Sequence, residues 1–207
     1  MTEDHRLHLE ASTIGGFLDD LAARSPTPGG GAVASLTGSL ATSLVAMVIN
    51  YSVGKPKFAA HEEELRDALA ICRRSRDLML RLADEDVATY GAMNELMGRP
   101  EDDPERTAEL PAVALAATQV PLAVAAAGCD LLRLCESLIP ITNRMLRSDL
   151  EIAAILSRSC VEAACCNVAI NLPTLARLGM DGGVREEADR LLVTASTLAA
   201  DVRGSCR

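Results

Sequence analysis

The chain alternates between stretches with no charge at all and stretches in which charge dominates. No Asp, Glu, Lys or Arg occurs from Ser25 to Gly54 or from Leu110 to Cys129, whereas the run HEEELRDALAICRRSRDLMLRLADEDVATY lies between them. In that run apolar residues fall at positions 65, 69, 72, 79, 82 and 83, the spacing of a helix with one buried face, and Glu62 and Arg66 form a charged pair one turn apart. The spacing predicts a long amphipathic helix over 58–97. A short helix over 13–23 opens behind a Ser/Thr cap, and an apolar helix follows over 30–52. A further helix has Pro111 near its start, bends at Pro121 and runs to 138. The next is capped by Ser148 or Asp149 and stopped at 171 by Pro173, and an amphipathic one covers 183–202. Pro100 and Pro104 bracket an acidic cluster, which predicts a surface loop over 98–107. No βαβ alternation and no repeat is visible. The expectation is all-α: one domain over 1–207, a bundle of six to eight helices, with 1–11 as a mobile N-terminus.

Composition sharpens this picture. Apolar residues make up 49% of the chain but aromatics only 2%. The core must therefore be built from Ala, Leu, Val and Ile, which suits closely packed helices and suits sheets poorly. The uncharged stretches are long enough to raise a membrane-spanning reading. Ser35, Thr37, Ser39, Thr42, Ser43 and Asn50 in the first, and two prolines with Thr118 and Gln119 in the second, argue instead for central helices enclosed by others. At a mean hydropathy of +0.17, one subunit of this length is not expected to enclose them alone. A homodimer with a large apolar interface, and no membrane partner, is the expectation.

The net charge of −9 offers no basic surface to a phosphate backbone, so no nucleic-acid partner is expected. Seven Cys without a CxxC pair lie mostly in apolar stretches and read as small buried hydrophobes of a reducing compartment. The N-terminus MTEDHRLHLEAS lacks the apolar core of a signal peptide, so the expected location is cytoplasmic. His5 and His8 lie in that segment and His61 has no HExxH context, so no metal site is expected.

The sharpest local feature is SPTPGGG at 25–31, running straight into the uncharged helix. Two prolines stiffen the approach, three glycines permit close backbone contact, and a helix N-terminus offers unpaired N–H donors. A tight turn with close helix packing explains the same residues. The longer string SPTPGGGAVASLTGSLATSLVAMVINYSVGKPKF resembles the opening of the formiminotetrahydrofolate cyclodeaminase / methenyltetrahydrofolate cyclohydrolase family. So do Asp84-Glu85-Asp86-Val87 with Tyr90, the segment ATQVPLAVA, residues 143–150, and the helix containing Asn167 and Asn171.

The resemblance implies an all-helical dimer acting on a one-carbon tetrahydrofolate, with no metal or redox cofactor. Members release ammonia from 5-formiminotetrahydrofolate by ring closure, or open the 5,10-methenyl ring with water. Larger relatives fuse a formiminotransferase, for which 207 residues leave no room. The methenyl carbon belongs to an amidinium-like cation, so a carboxylate is needed near it to stabilise charge and move a proton. Asp86 and Asp149 are the candidates, with a solvated surface carboxylate and a helix cap as their respective alternatives. Asn167 and Asn171, spaced i,i+4, either orient water and the pterin or pair with backbone. Lys55 and Lys57, with Arg144 and Arg147, suit the glutamate tail of folate, or serve solubility. By the same resemblance Ser25, Pro28, Gly29, Gly30, Gly31, Tyr90, Asn143 and Ser148 are carried over as substrate-binding candidates.

The chain departs from the family at Pro56, between Lys55 and Lys57, at Ile141 to Arg147, where a Gly-Asn type loop is usual, and at Glu151-Ile152-Ala153. These departures leave two alternatives beside the folate enzyme. One is a cyclase or hydrolase acting on a C=N or amidine bond of a non-folate biosynthetic intermediate; the other is a non-catalytic dimeric binding module.

Overall fold

The computed structural model describes residues 9–207. Among the described residues there are helices and no strands: α1 (Ile14–Ala22), α2 (Gly30–Asn50), α3 (Glu62–Gly98), α4 (Pro104–Leu138), α5 (Arg147–Arg177) and α6 (Val184–Cys206), with short 3₁₀ turns at Leu9–Ala11, Pro56–His61 and Arg144–Leu146. The mobile N-terminus expected over 1–11 falls outside the described residues up to residue 8. Leu9 is buried, and its N–H donates to Asp84 Oδ1 at 3.2 Å.

Helices α2 and α5 run antiparallel. Gly30 at the start of α2 lies beside Asn167 late in α5. Ser52, just past the other end of α2, accepts a 3.0 Å hydrogen bond at Oγ from the N–H of Asn143, just ahead of α5. The bundle thus has an upper end, where α2 begins, and a lower end, where α5 begins. Small residues let the axes approach: a Cβ at Gly38 would lie 2.8 Å from Met79 Cε and 3.0 Å from Cys160 Sγ, and one at Gly128 would lie 2.7 Å from Val161 Cγ2. The core joins α2 to α6 through Val45, Ile49, Leu65, Met79, Leu132, Leu150, Val161 and Val202. By length and composition α2, α4 and the α5 region could each cross a membrane; in this fold 56% of the α2 window and 44% of the other two are buried inside the protein.

Three boundaries differ from the sequence expectation. Helix α4 starts at Pro104, where Asp103 Oδ1 accepts from the N–H groups of Glu105 (2.9 Å) and Arg106 (3.0 Å), so the expected loop shrinks. Helix α5 starts at Arg147 behind Leu146, with no side-chain cap, so neither Ser148 nor Asp149 caps it; Asn143 instead caps the preceding 3₁₀ turn by accepting from Met145 N at 3.1 Å. Helix α5 also continues through Pro173 to Arg177. Pro173 removes one backbone donor, and Ala169, whose carbonyl loses it, is exposed to solvent. The cysteines are free thiols; Cys165 is buried and its neighbour Cys166 exposed, as adjacent helical positions require.

Candidate functional site at the start of α2

The SPTPGGG turn delivers the chain to the upper end of the bundle. Its Thr27–Pro28 peptide is cis, Ser25 Oγ donates to Thr27 O at 2.8 Å, and Gly29 is the extended N-cap of α2. Helix α3 brings Asp86, Thr89 and Tyr90 against this turn, α4 brings Ala117, and α5 brings Asn167, Ile170 and Asn171. With Pro26, Thr27 and Gly29 to Gly31 they enclose a cavity of about 230 Å³.

Gly31 is its tightest point. A Cβ there would lie 2.1 Å from the carboxyl carbon and from both oxygens of Asp86, so only glycine allows that carboxyl group to rest on the first turn of α2. The Asp86 side chain has no hydrogen bond or ion pair among the described residues, and burial pushes its pKa above the ordinary carboxylate value. An uncompensated carboxyl group against a helix N-terminus is suited to exchanging protons and to facing a cation. Across the cavity, a Cβ at Gly30 would lie 3.2 Å from Asn167 Oδ1. The Asn167 amide has no hydrogen-bond partner among the described residues, while Asn171, one turn on and 7% exposed, donates from Nδ2 to Ala117 O at 2.9 Å.

The profile of the family described as Formiminotransferase-cyclodeaminase matches residues 13–190, which takes in every element that forms the cavity. The chain belongs to that family. It is 30% identical over 190 residues to the methenyltetrahydrofolate cyclohydrolase of Methylorubrum extorquens, covering 90% of this chain and 91% of that one. It is also 30% identical to the formimidoyltransferase-cyclodeaminase of Sus scrofa, spanning 35% of that longer protein. Among solved structures, the formiminotetrahydrofolate cyclodeaminase of Thermotoga maritima superposes with a TM-score of 0.88 at 27% identity, over 95% of this chain and 96% of that one.

Within this family member the candidate residues fall into two groups. Gly29, Gly30, Gly31, Asp86, Tyr90, Asn167 and Asn171 line the one cavity. Ser25 and Pro28 belong to its approach: Ser25 is exposed, Pro28 is buried, and neither lines it. The others gather at the lower end. Asp149 is separated from Asn167 by continuous helix, about 27 Å at 1.5 Å per residue. Lys55 and Lys57 lie beyond the far end of α2, about 30 Å from Gly30. Asn143, Arg144, Arg147 and Ser148 surround the start of α5. Within one chain, therefore, Asp86 and Asp149 do not meet.

At the lower end Arg147 Nε is buried with no hydrogen-bond partner among the described residues. Glu151, one of the departures from the family pattern, pairs with Arg203 (3.2 Å) and Arg207 (3.7 Å) and so ties α5 to the end of α6. Sequence reasoning missed Pro26, Thr27, Thr89, Ala117 and Ile170. Pro26 and Thr27 lie within the SPTPGGG motif but were not picked from it, whereas nothing in the sequence pattern sets Thr89, Ala117 or Ile170 against this turn. Among the described residues no three His, Cys, Asp or Glu side chains gather as a metal site; His5 and His8 lie outside them.

Proposed function

We propose that the protein is a folate one-carbon enzyme that hydrolyses 5,10-methenyltetrahydrofolate to 10-formyltetrahydrofolate, cyclises 5-formiminotetrahydrofolate to the methenyl form with release of ammonia, or does both. Relatives bearing each name match along nearly the whole chain. The observation that carries the reading to particular atoms is the Asp86 carboxyl group, unpaired among the described residues, lodged on Gly31. In hydrolysis, water adds to the methenyl carbon and gives a proton to the Asp86 carboxylate. As the bond from that carbon to N5 breaks, Asp86 returns the proton to N5, the added hydroxyl releases its own proton to solvent, and the resulting formyl group stays on N10. In cyclisation N10 attacks the formimino carbon, its own proton passes to the formimino nitrogen, and protonated Asp86 supplies the second proton with which that nitrogen leaves as ammonia. Both uses favour a carboxyl group that exchanges its proton nearer neutrality, the direction in which burial moves it. Neither reaction changes an oxidation state, so the scheme calls for no redox cofactor, and with Asp86 moving the proton it invokes no metal. Asn167 suits the role of orienting the water or the pterin.

A cavity of about 230 Å³ is smaller than the roughly 300–1,000 Å³ of pockets that enclose a drug-sized ligand. It takes the reacting end of the substrate, and the tail runs outward. The cations that suit its carboxylates, Lys55, Lys57, Arg144 and Arg147, stand at the lower end. We propose a homodimer as the arrangement that reunites them. The outward side of α2 is uncharged, with Leu40 55% exposed, and α5 exposes Ile152, Ile155 and Ile170, the last by 74%. Pairing these faces about a two-fold axis perpendicular to α2 sets the lower end of one copy beside the cavity of the other. A cytoplasmic location belongs to the same proposal.

The test follows the near-ultraviolet absorbance of 5,10-methenyltetrahydrofolate, and its appearance from 5-formiminotetrahydrofolate, with the wild type and Asp86→Asn. Turnover that depends on Asp86 supports the reading. No turnover of either compound by the wild type removes it.

A further inference from the structure

Three prolines stand inside helices: Pro111 and Pro121 in α4 and Pro173 in α5. Each removes one backbone N–H and so deprives the carbonyl four residues earlier of its donor. For Pro111 and Pro173 those carbonyls belong to Thr107 and Ala169, both exposed, where water serves. For Pro121 the carbonyl belongs to Ala117, and both residues are buried. A buried carbonyl without a donor is costly. Here the donor comes from another helix, as Asn171 Nδ2 of α5 reaches Ala117 O at 2.9 Å. Because a carbonyl oxygen only accepts, this contact orients the amide and leaves Asn171 Oδ1 without a partner among the described residues. Ala117 and Asn171 both line the cavity that holds Asp86.

We propose that Asn171 is a positioning residue: its amide replaces the backbone donor that Pro121 lacks, and so fixes the α4 wall of the cavity against α5. The side chain is thereby committed to the protein backbone rather than free to donate to the substrate. Proline and asparagine form one device, since the first creates the vacant acceptor and the second fills it. The kinetic part of the inference rests on the folate reading.

A double-mutant cycle tests it. Asn171→Ala is made in the wild type and in Pro121→Ala, where residue 121 regains its N–H and can bond Ala117 O within α4. The expected loss in kcat/KM is about tenfold or more in the wild-type background, and at least threefold smaller in the Pro121→Ala background. Losses that differ by less than threefold would overturn the proposal and return Asn171 to direct contact with substrate. A second readout separates positioning from general stability. With the wall loosened, water reaches Asp86, so the acidic limb of the kcat/KM profile of Asn171→Ala shifts to lower pH; an unmoved limb would also overturn the proposal. If the wild type turns over neither folate compound, the folate reading fails by itself. The same cycle is then read from urea midpoints, where coupling between positions 121 and 171 supports the clamp and additivity rejects it.

Discussion

Asp86 is held where burial opposes its own charge, so its removal has opposite effects on chemistry and on stability. Its pKa is higher in the folded than in the unfolded chain. The folded state therefore binds the proton more tightly, and ionising Asp86 weakens the fold at any pH above its folded pKa. The neutral isostere Asp86→Asn is expected to lower kcat/KM by about 10²–10⁴-fold while raising the melting temperature at neutral pH. That gain is full above the folded pKa of Asp86 and fades as pH falls from there toward the ordinary carboxylate range of the unfolded chain; melting curves of both proteins across that window check it. A gain that persists unchanged below that window would assign the effect to something other than this charge. Gly31 is the complementary case. A methyl group there meets the Asp86 carboxyl group at 2.1 Å, so Gly31→Ala should displace the carboxylate and lower kcat/KM by about a hundredfold. Steady-state kinetics under conditions where the variant remains folded by circular dichroism makes the comparison.

At the scale of the helices, what was legible in the sequence was decided by periodicity, and what was not was decided by neighbours. The charged run read as an amphipathic helix and is α3, because its own alternation of faces determines the outcome. Pro104 read as part of a loop, although Asp103 before it is an N-cap and proline is favoured at the first helical position. Asp103→Ala should cost about 1 kcal/mol by denaturant titration. Pro173 read as a stop, yet nothing in the one-dimensional pattern tells that Ala169, whose carbonyl loses its donor, lies exposed. The cavity followed the same division. The glycines, Asp86 and the two asparagines stood out as polar or flexible residues beside apolar helices, whereas Ala117 and Ile170 belong to it only through packing. The meeting of α4 with α5 gives the sharpest element-scale prediction, since a Cβ at Gly128 lies 2.7 Å from Val161 Cγ2 and 3.4 Å from Ser157 O. Gly128→Ala should destabilise the fold by about 1–3 kcal/mol through overpacking. Adding Val161→Ala should recover part of that loss, and a double variant no more stable than Gly128→Ala alone would show that the contact is not the cause.

At the scale of the whole molecule the unresolved tension is distance. One chain puts Asp86 at its upper end and Asp149, with the cations Lys55, Lys57, Arg144 and Arg147, at its lower end, with a nearly uncharged helix between them. The proposed antiparallel homodimer would close that distance without bending any helix, because its two-fold axis exchanges upper for lower. The consequence is a site drawing Asp86 from one copy and Asp149 from the other, and it can be tested by complementation. Asp86→Asn and Asp149→Asn, each inactive alone, are co-expressed in equal amounts so that about half of the dimers carry one copy of each. In such a mixed dimer one site collects both substitutions and the other collects neither. Activity should therefore return to about one quarter of the wild-type value. A mixture no more active than its components would remove Asp149 from the reacting centre. It would leave Asp86 as the sole carboxylate there and reduce the lower end to holding the substrate's tail or to building the dimer. Sedimentation of the same mixture tests both remaining roles, because a monomeric protein at working concentration excludes any role that needs a second copy.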